Sequence, residues 1–372
     1  MAKHRSVEVS IYLSECDEED KRVAANHNIH LIETEELAGL DKDIWLSCLP
    51  KDHAVDCVIG HGAVSGRQVQ IIKNARPLCK WIQFVHTAPE DLAMFKEYDK
   101  HISRGQNKHE TEVKLCEKAD QVVAVGPKLA ETYSGYLRSC GKDILTLTPG
   151  IFSEFADVTQ ATEEGKRFSV LVFGRGDKED FLIKGYDIAA CAIAELKDEP
   201  KPYRLLFVGA PSGKEETVTD LLLKEGIDRC QLTVRGFCES REQLRKLFIE
   251  ADLVVMPSRI EGFGLAALEA LSAGLPVLVG GNSGLGEALK EVQGGSSCVV
   301  ESNEPKDWAN AIRAVRRKDR EMRLKESIIL REKYAEMYNW HNPCNRLVET
   351  MLKICQGKRD TSLSSLCCVL LT

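Results

Sequence analysis

The sequence predicts an α/β protein built from two Rossmann-like, doubly wound parallel sheets joined by a linker. Three observations predict it. Short apolar runs rich in β-branched residues recur along the chain with helix-length polar segments between them, the pattern of a parallel sheet with helical crossovers. The alternation stops once, at 148–167, where "TPGIFSEFADVTQATEEGKR" is polar and has no apolar period. And 372 residues is long for a single core.

The first series comprises "VEVSIYL" (7–13), "VDCVIGHG" (55–62), "KWIQFVHT" (80–87), "ADQVVAVG" (119–126) and "DILTLTPG" (143–150). The second comprises "FSVLVFGRG" (168–176), "YRLLFVGAP" (203–211), "CQLTVRGF" (230–237), "ADLVVMPS" (251–258) and "LPVLVGG" (275–281). This places a first domain at 1–152, a linker at 153–167 and a second domain at 168–318. An amphipathic stretch, 319–355, reads as helix broken near Asn342-Pro343, where proline removes a backbone donor. For the tail, 356–372, the sequence offers no role in a core.

Composition excludes several classes. With 43% hydrophobic and 29% charged residues the chain is ordinary globular material. A net charge of −7 argues against nucleic acid, whose partner would carry a basic face. No apolar run approaches the roughly 20 residues of a spanning helix, and the start lacks a small-residue cleavage site. The 14 cysteines form no C-x-x-C, so they read as scattered thiols of a reducing, cytoplasmic setting, with no metal site.

The chemistry concentrates in "SRIEGFGLAALEALSAGLPVLVGG" (258–281). A buried strand ends just before it, and a strong helix former follows it and stops at Gly274 with Pro276 beyond. Glu261 to Gly264 therefore sit on a strand-to-helix loop, where open α/β sheets bind ligands. Unpaired N–H groups there favour phosphate, and Gly262 and Gly264 let the backbone approach it. Glu261 and Glu269 would repel a bare phosphate but accept hydrogen bonds from sugar hydroxyls. Phosphate between two polyols describes a nucleotide sugar; solvated surface glutamates are the plainer alternative. Arg175 and Lys184, in "FGRGDKEDFLIKGYD" (173–187), lie at the same sheet edge and supply the cations a diphosphate needs, making a dedicated metal unnecessary.

Taken together, "GR…KG" and "SRIEGFGLAALEALSAGLPVLV" resemble the group 1 (family four) retaining glycosyltransferases, glycogen-synthase-like enzymes of the GT-B fold. The resemblance extends into the first domain through "VHT", "CEKADQVVAVGPKLAE" and "LTPGIFSEF". It implies two Rossmann-like domains facing across a cleft, with the helices of 319–355 packing back across it. It implies a hexosyltransferase with no metal and no cofactor besides its donor. That donor is a UDP-, GDP- or ADP-sugar and the acceptor a sugar-type hydroxyl. By that resemblance Arg175 and Lys184 hold the donor diphosphate and Glu261 touches the donor sugar. The backbone of Gly262, Phe263, Gly264 and Leu265 meets sugar and phosphate. Glu269 holds the ribose, and Arg235, Gly236 and Phe237 lie beside the base. His86, in "FVHTAPE", meets the sugar near the reacting carbon as the domains close, and His61, in "GHG", is a second candidate at a strand end. Configuration at the sugar is retained without a pair of carboxylates, a leaving-phosphate oxygen taking the acceptor proton.

One departure bears on the first domain. Such enzymes open with a strand and a Gly-Gly loop, whereas "VEVSIYL" runs into the acidic "SECDEEDKR". The reading is that the first domain is incomplete, lacking its opening strand and helix, and that the chain binds donor but transfers it poorly. A non-catalytic nucleotide-sugar-binding module, or a fragment of a larger protein, is the alternative; a nucleotide-sugar 2-epimerase is a weaker one.

Overall fold

The structure, a computed structural model, describes residues 1–50, 53–93, 101–238, 240–355 and 366–371, excepting the side chains of 43, 91, 93 and 101–104. It divides into two compact units. One comprises Met1–Glu90, Arg104–Thr148 and Trp340–Thr372, and the other Asp91–Ser103 and Pro149–Asn339. The strands are β1 (Val7–Leu13), β2 (Ile29–Glu33), β3 (Cys57–His61), β4 (Lys80–Val85), β5 (Gln121–Val125) and β6 (Ile144–Leu147), then β7 (Phe168–Phe173), β8 (Tyr203–Ala210), β9 (Leu232–Gly236), β10 (Leu253–Met256), β11 (Val277–Gly280), β12 (Val299–Val300) and β13 (Leu366–Leu371).

The first unit holds a seven-stranded sheet in the order β2-β1-β13-β3-β4-β5-β6, its neighbours all parallel. Its third strand, an interior one, is the last described strand of the chain. Val7 to Tyr12 pair with Leu366 to Leu371 on one side, and Cys57 to Ile59 with Cys368 to Leu370 on the other. Leu366, Cys368, Val369 and Leu371 are buried, as expected of a strand covered on both faces. This corrects the expectation of an incomplete first sheet and of a tail without a core role. Without β13, the facing edges of β1 and β3 would leave a row of N–H and C=O groups unpaired; the tail's apolar run "LCCVLL" pairs both. A run this short carries no periodicity from which its place could be read, and β2 went unread for the same reason.

The second unit holds a six-stranded sheet, also parallel, in the order β12-β11-β10-β7-β8-β9. Phe168, Val170, Val172, Leu205, Phe207 and Val255 belong to its core, closed by Trp308 and Ile312 from the helix Pro305–Arg317. The 153–167 segment is less of a linker than its polarity suggests. Phe155 is fully buried, edge-on to Phe248 at 5.4 Å, and Arg245 donates to the Glu154 carbonyl at 2.6 Å. The boundary therefore falls at Thr148/Pro149. The C-terminal helical stretch breaks at 338–340, between helices Arg320–Met337 in the second unit and His341–Cys355 in the first. Pro343 lies in the first turn of the later helix, where a missing N–H does no harm.

Candidate functional site

In a parallel sheet every strand ends at the same edge, so the loops after β7 and β10 must meet. They do, and two glycines allow it. Gly185 (φ +67°) leads into the helix Tyr186–Ala194, and a Cβ there would lie 1.9 Å from the Pro257 carbonyl oxygen. Gly264 (φ +106°) leads into the helix Leu265–Ser272, and a Cβ there would lie 2.5 Å from Met256 Cε. Both positions have a left-handed backbone and no room for a side chain. Arg259 fastens the two loops, with Nη1 and Nη2 donating to the Asp187 carboxylate at 2.8 and 2.5 Å. Fork-to-fork pairing of this kind fixes orientation as well as distance. Sequence reasoning passed over this pair because its members stand 72 residues apart.

Between these loops lies a pocket of about 140 Å³ lined by Gly174, Arg175, Lys184, Tyr186, Ser258 and Glu261, among others. Lys184 Nζ donates to Glu261 Oε2 at 2.7 Å, and Ser258 Oγ donates to the same oxygen at 3.3 Å. Buried Tyr186 donates its hydroxyl to the Arg175 carbonyl at 3.1 Å, setting the backbone beneath an exposed Arg175 side chain. Gly262, Phe263, Gly264 and Leu265 form the turn into the following helix. There Phe263 is buried and its carbonyl accepts from Leu285 N at 2.7 Å. The first N–H groups of that helix have no partner within it.

A second pocket, of about 380 Å³, adjoins the first, since Phe173 and Gly174 line both; Phe237, Cys238, Arg241 and Glu269 are among its other lining residues. Glu269 accepts from Arg241 Nη1 at 2.6 Å, and burial lifts its pKa despite that arginine. Arg241, also 3.2 Å from Glu154, is a site residue the sequence reading did not find. The signal was faint: a charged residue directly after the helix-capping Ser240. Phe237 is 65% exposed. Arg235 does not join it. Both its terminal nitrogens bind Glu250, at 2.6 and 2.9 Å, and neither it nor Gly236 lines the pocket.

In the first unit, β3 ends at His61 and His86 directly follows β4, so the parallel sheet sets them side by side. His61 Nδ1 lies 2.8 Å from His86 Nε2, and the rings stack at 5.1 Å. Burial lowers both pKa values, that of His61 to about 4 with help from His86, so both rings are neutral at pH 7. The loops that carry them are held from below. Gln83 Nε2 donates to the Gly62 carbonyl at 2.7 Å, and the Tyr133 hydroxyl to the Thr87 carbonyl at 2.9 Å.

Comparison with known proteins agrees with this architecture. Residues 1–347 match the family described as family 4 glycosyltransferase in conflict systems, and the chain belongs to that family. It is therefore a glycosyltransferase of the kind that takes its sugar from a nucleotide sugar. It is 31% identical over 319 residues to the D-inositol 3-phosphate glycosyltransferase of Corynebacterium urealyticum, covering 79% of this chain and 70% of that protein. The protein of the same description from Corynebacterium jeikeium is 30% identical over 300 residues, with coverage of 74% and 68%. Among solved structures, Anabaena HepE in complex with UDP and glucose superposes with a TM-score of 0.67 at 14% identity, covering 93% of this chain and 99% of that one. Sucrose-phosphate synthase from Thermosynechococcus elongatus gives 0.64 at 20% identity, with coverage of 82% and 74%. The last two likenesses show the GT-B fold. Among the described residues no helix is long and apolar enough to cross a membrane.

Proposed function

We propose that the chain moves a hexosyl group from a UDP-, GDP- or ADP-sugar to a sugar-type acceptor hydroxyl, with retention and without a metal. The single observation that carries this reading is the Lys184–Glu261 ion pair, 2.7 Å apart in a pocket that also presents Arg175. A lysine and a glutamate bound to each other in such a pocket can exchange partners when a ligand enters. The diphosphate takes Lys184 and Arg175 as its charge-assisted donors, and Glu261 turns to the sugar hydroxyls. The neighbouring pocket, with Glu269 and the exposed ring of Phe237, suits ribose and base. In the same reading His86 of the first unit meets the sugar at the reacting carbon, and the leaving phosphate takes the acceptor proton. Stabilising charge as the glycosidic bond opens is the protein's main task, and fixed cations serve it.

β13 supplies the strand, though not the Gly-Gly loop, whose absence argued against transfer; with the family match beside it, we assign transfer as well as binding to this chain. The test is a panel of nucleotide sugars, with product anomers read by NMR in the presence of EDTA. Donor-dependent formation of an axially linked product from an axial donor supports retention. An inverted product, loss of activity with EDTA, or epimerised donor without transfer would each refute a part of this reading. Glu261→Gln is expected to lower turnover more than nucleoside-diphosphate affinity.

A further inference from the structure

Behind the two histidine-bearing loops of the first unit lies a carboxyl that the proposed reaction does not use. Glu112, on the helix His101–Lys118, is 3% exposed, and its Oε1 has no hydrogen-bond partner among the described residues. It faces both loops. On one side is Gly62, which directly follows His61; a Cβ on that glycine would lie 3.8 Å from Glu112 Oε1. On the other is Tyr133, from the helix Pro127–Tyr136, whose hydroxyl donates at 2.9 Å to the carbonyl of Thr87, the residue after His86. A side-chain hydrogen bond between Glu112 and Tyr133 acts on the proton affinity of both.

A phenol has a single proton to give. Thr87 offers only a carbonyl oxygen, so the 2.9 Å bond takes that proton. Glu112 can then meet the same hydroxyl only as a donor, that is, as the neutral acid. Ionised, it would be a buried anion with an unpaired Oε1, and its nearest relief is to draw the Tyr133 proton away from Thr87. In that exchange the carboxyl proton leaves to water, the hydroxyl turns, and no covalent bond is made or broken between heavy atoms. The loop after His86 loses the bond that fixes it. The neighbouring titratable groups do not compete for this role. Burial pushes Cys116, on the same helix, and Tyr133 itself well up, so both stay neutral, and it lowers His61, beyond Gly62. His109, one turn earlier, turns to the Tyr136 ring at 4.5 Å and to Glu90 at 3.6 Å. Burial sets Glu112 itself at about 7, so both of its states occur near neutral pH.

We propose that Glu112, in its acid form, is a positioning residue for His86, acting through the Tyr133 hydroxyl and the Thr87 carbonyl. The proposal rests on the placement of His86 at the reacting sugar, but one of its tests needs no turnover. Proton–nitrogen NMR of the imidazole rings is followed through neutral pH in the full chain, with His86 identified by its loss in His86→Gln. The His86 nitrogens should shift with a midpoint near pH 7, although burial keeps both rings of the pair neutral there. They should stay still in Glu112→Gln, whose amide donates to Tyr133 at every pH. At saturating donor, kcat should fall about tenfold between pH 6 and pH 8.5, less than the roughly hundredfold of a 1 Å displacement. Glu112→Gln should abolish that fall. Tyr133→Phe should show the low value throughout, with nucleoside-diphosphate affinity unchanged and circular dichroism confirming that both variants fold. A His86 signal indifferent to pH, the same response in Glu112→Gln, or parental kcat at pH 6 in Tyr133→Phe would overturn the proposal. A responsive His86 in a chain that transfers no sugar would refute the transfer reading and uphold the coupling.

Discussion

His61 and His86 share a single hydrogen bond: Nδ1 of the first stands 2.8 Å from Nε2 of the second. One ring must donate and the other accept, so at least one of the two must be neutral. A lowered folded pKa means that the unfolded chain takes up a proton first as pH falls. The pair therefore contributes stability that is present above the ordinary histidine value of 6.5 and declines towards about 4. Through this bond His61 sets the ring and tautomer of His86. We expect His61→Ala to lower kcat by about 10–100-fold, as a misplacement of about 1 Å would. Affinity for nucleoside diphosphate should be unchanged, and His61→Gln should recover part of the loss. Equal kcat in His61→Ala and the parent chain would remove His86 from the reaction or His61 from its support.

Arg175→Ala and Lys184→Ala should each weaken nucleoside-diphosphate binding by roughly 1.5–3 kcal/mol, the range of a charge-assisted hydrogen bond. Lys184→Ala also leaves Glu261 without its cation, so the double variant with Glu261→Gln should lose less than the two single effects combined. Calorimetric titration of all four chains decides this. Simple additivity would show that the 2.7 Å pair has no part in binding.

Glu269→Gln should weaken nucleoside-diphosphate affinity about tenfold through one lost ribose contact, in the range of a hydrogen bond to a charged group. Sugar turnover at saturating donor should change little. Arg241→Ala tests the same pocket from the other side: it frees Glu269 from its 2.6 Å partner and should not abolish binding. A larger loss in Arg241→Ala than in Glu269→Gln would make the arginine, rather than the glutamate, the group that reads the nucleoside.

Glu112 is 3% exposed, its Oε1 has no hydrogen-bond partner among the described residues, and burial lifts its pKa to about 7 against the lowering effect of Tyr133. The sign here is opposite to that of the histidines. Between about 4.5 and 7 the unfolded chain has lost this proton and the folded chain retains it, so stability falls as pH rises across that window. Glu112→Gln should remove that fall and be the more stable chain at pH 8, by up to roughly 3 kcal/mol. Denaturant titrations at pH 5 and pH 8 measure it. A variant destabilised equally at both values would show that the carboxyl is ionised in the fold.

Val369 is fully buried in β13, an interior strand of the first sheet. Val369→Asp should destabilise that unit by about 3–5 kcal/mol, the effect of an uncompensated buried charge. Hydrogen exchange should then speed up across β1 and β3 while β7 to β11 stay protected and nucleoside diphosphate still binds. Unchanged protection of β1 and β3 would mean that β13 does not hold them.

The sequence by itself determined most of the second unit. Its strands are continuous apolar runs, and most of its candidate site residues stand in two strand-to-helix loops and one following helix. Spacing along the chain therefore places Glu261, Gly264 and Glu269, and a Gly-flanked Arg175 and Lys184, at one edge. Local periodicity carries that much because it depends on neighbours in the chain. What depends on distant partners was decided only in three dimensions. Arg259 and Asp187, Arg241 and Glu269, and His61 and His86 are joined by sheet register, and no spacing encodes them. The family resemblance put Arg235 beside the base, yet its guanidinium is held by Glu250, on a neighbouring helix. The clearest case is β13. Nothing in "LCCVLL" says whether it is a tail or a strand, because a six-residue apolar run acquires a place only from the two edges that need pairing. Those edges, β1 and β3, lie more than 300 residues away in the chain, and the unpaired backbone between them made the tail an interior strand of the sheet.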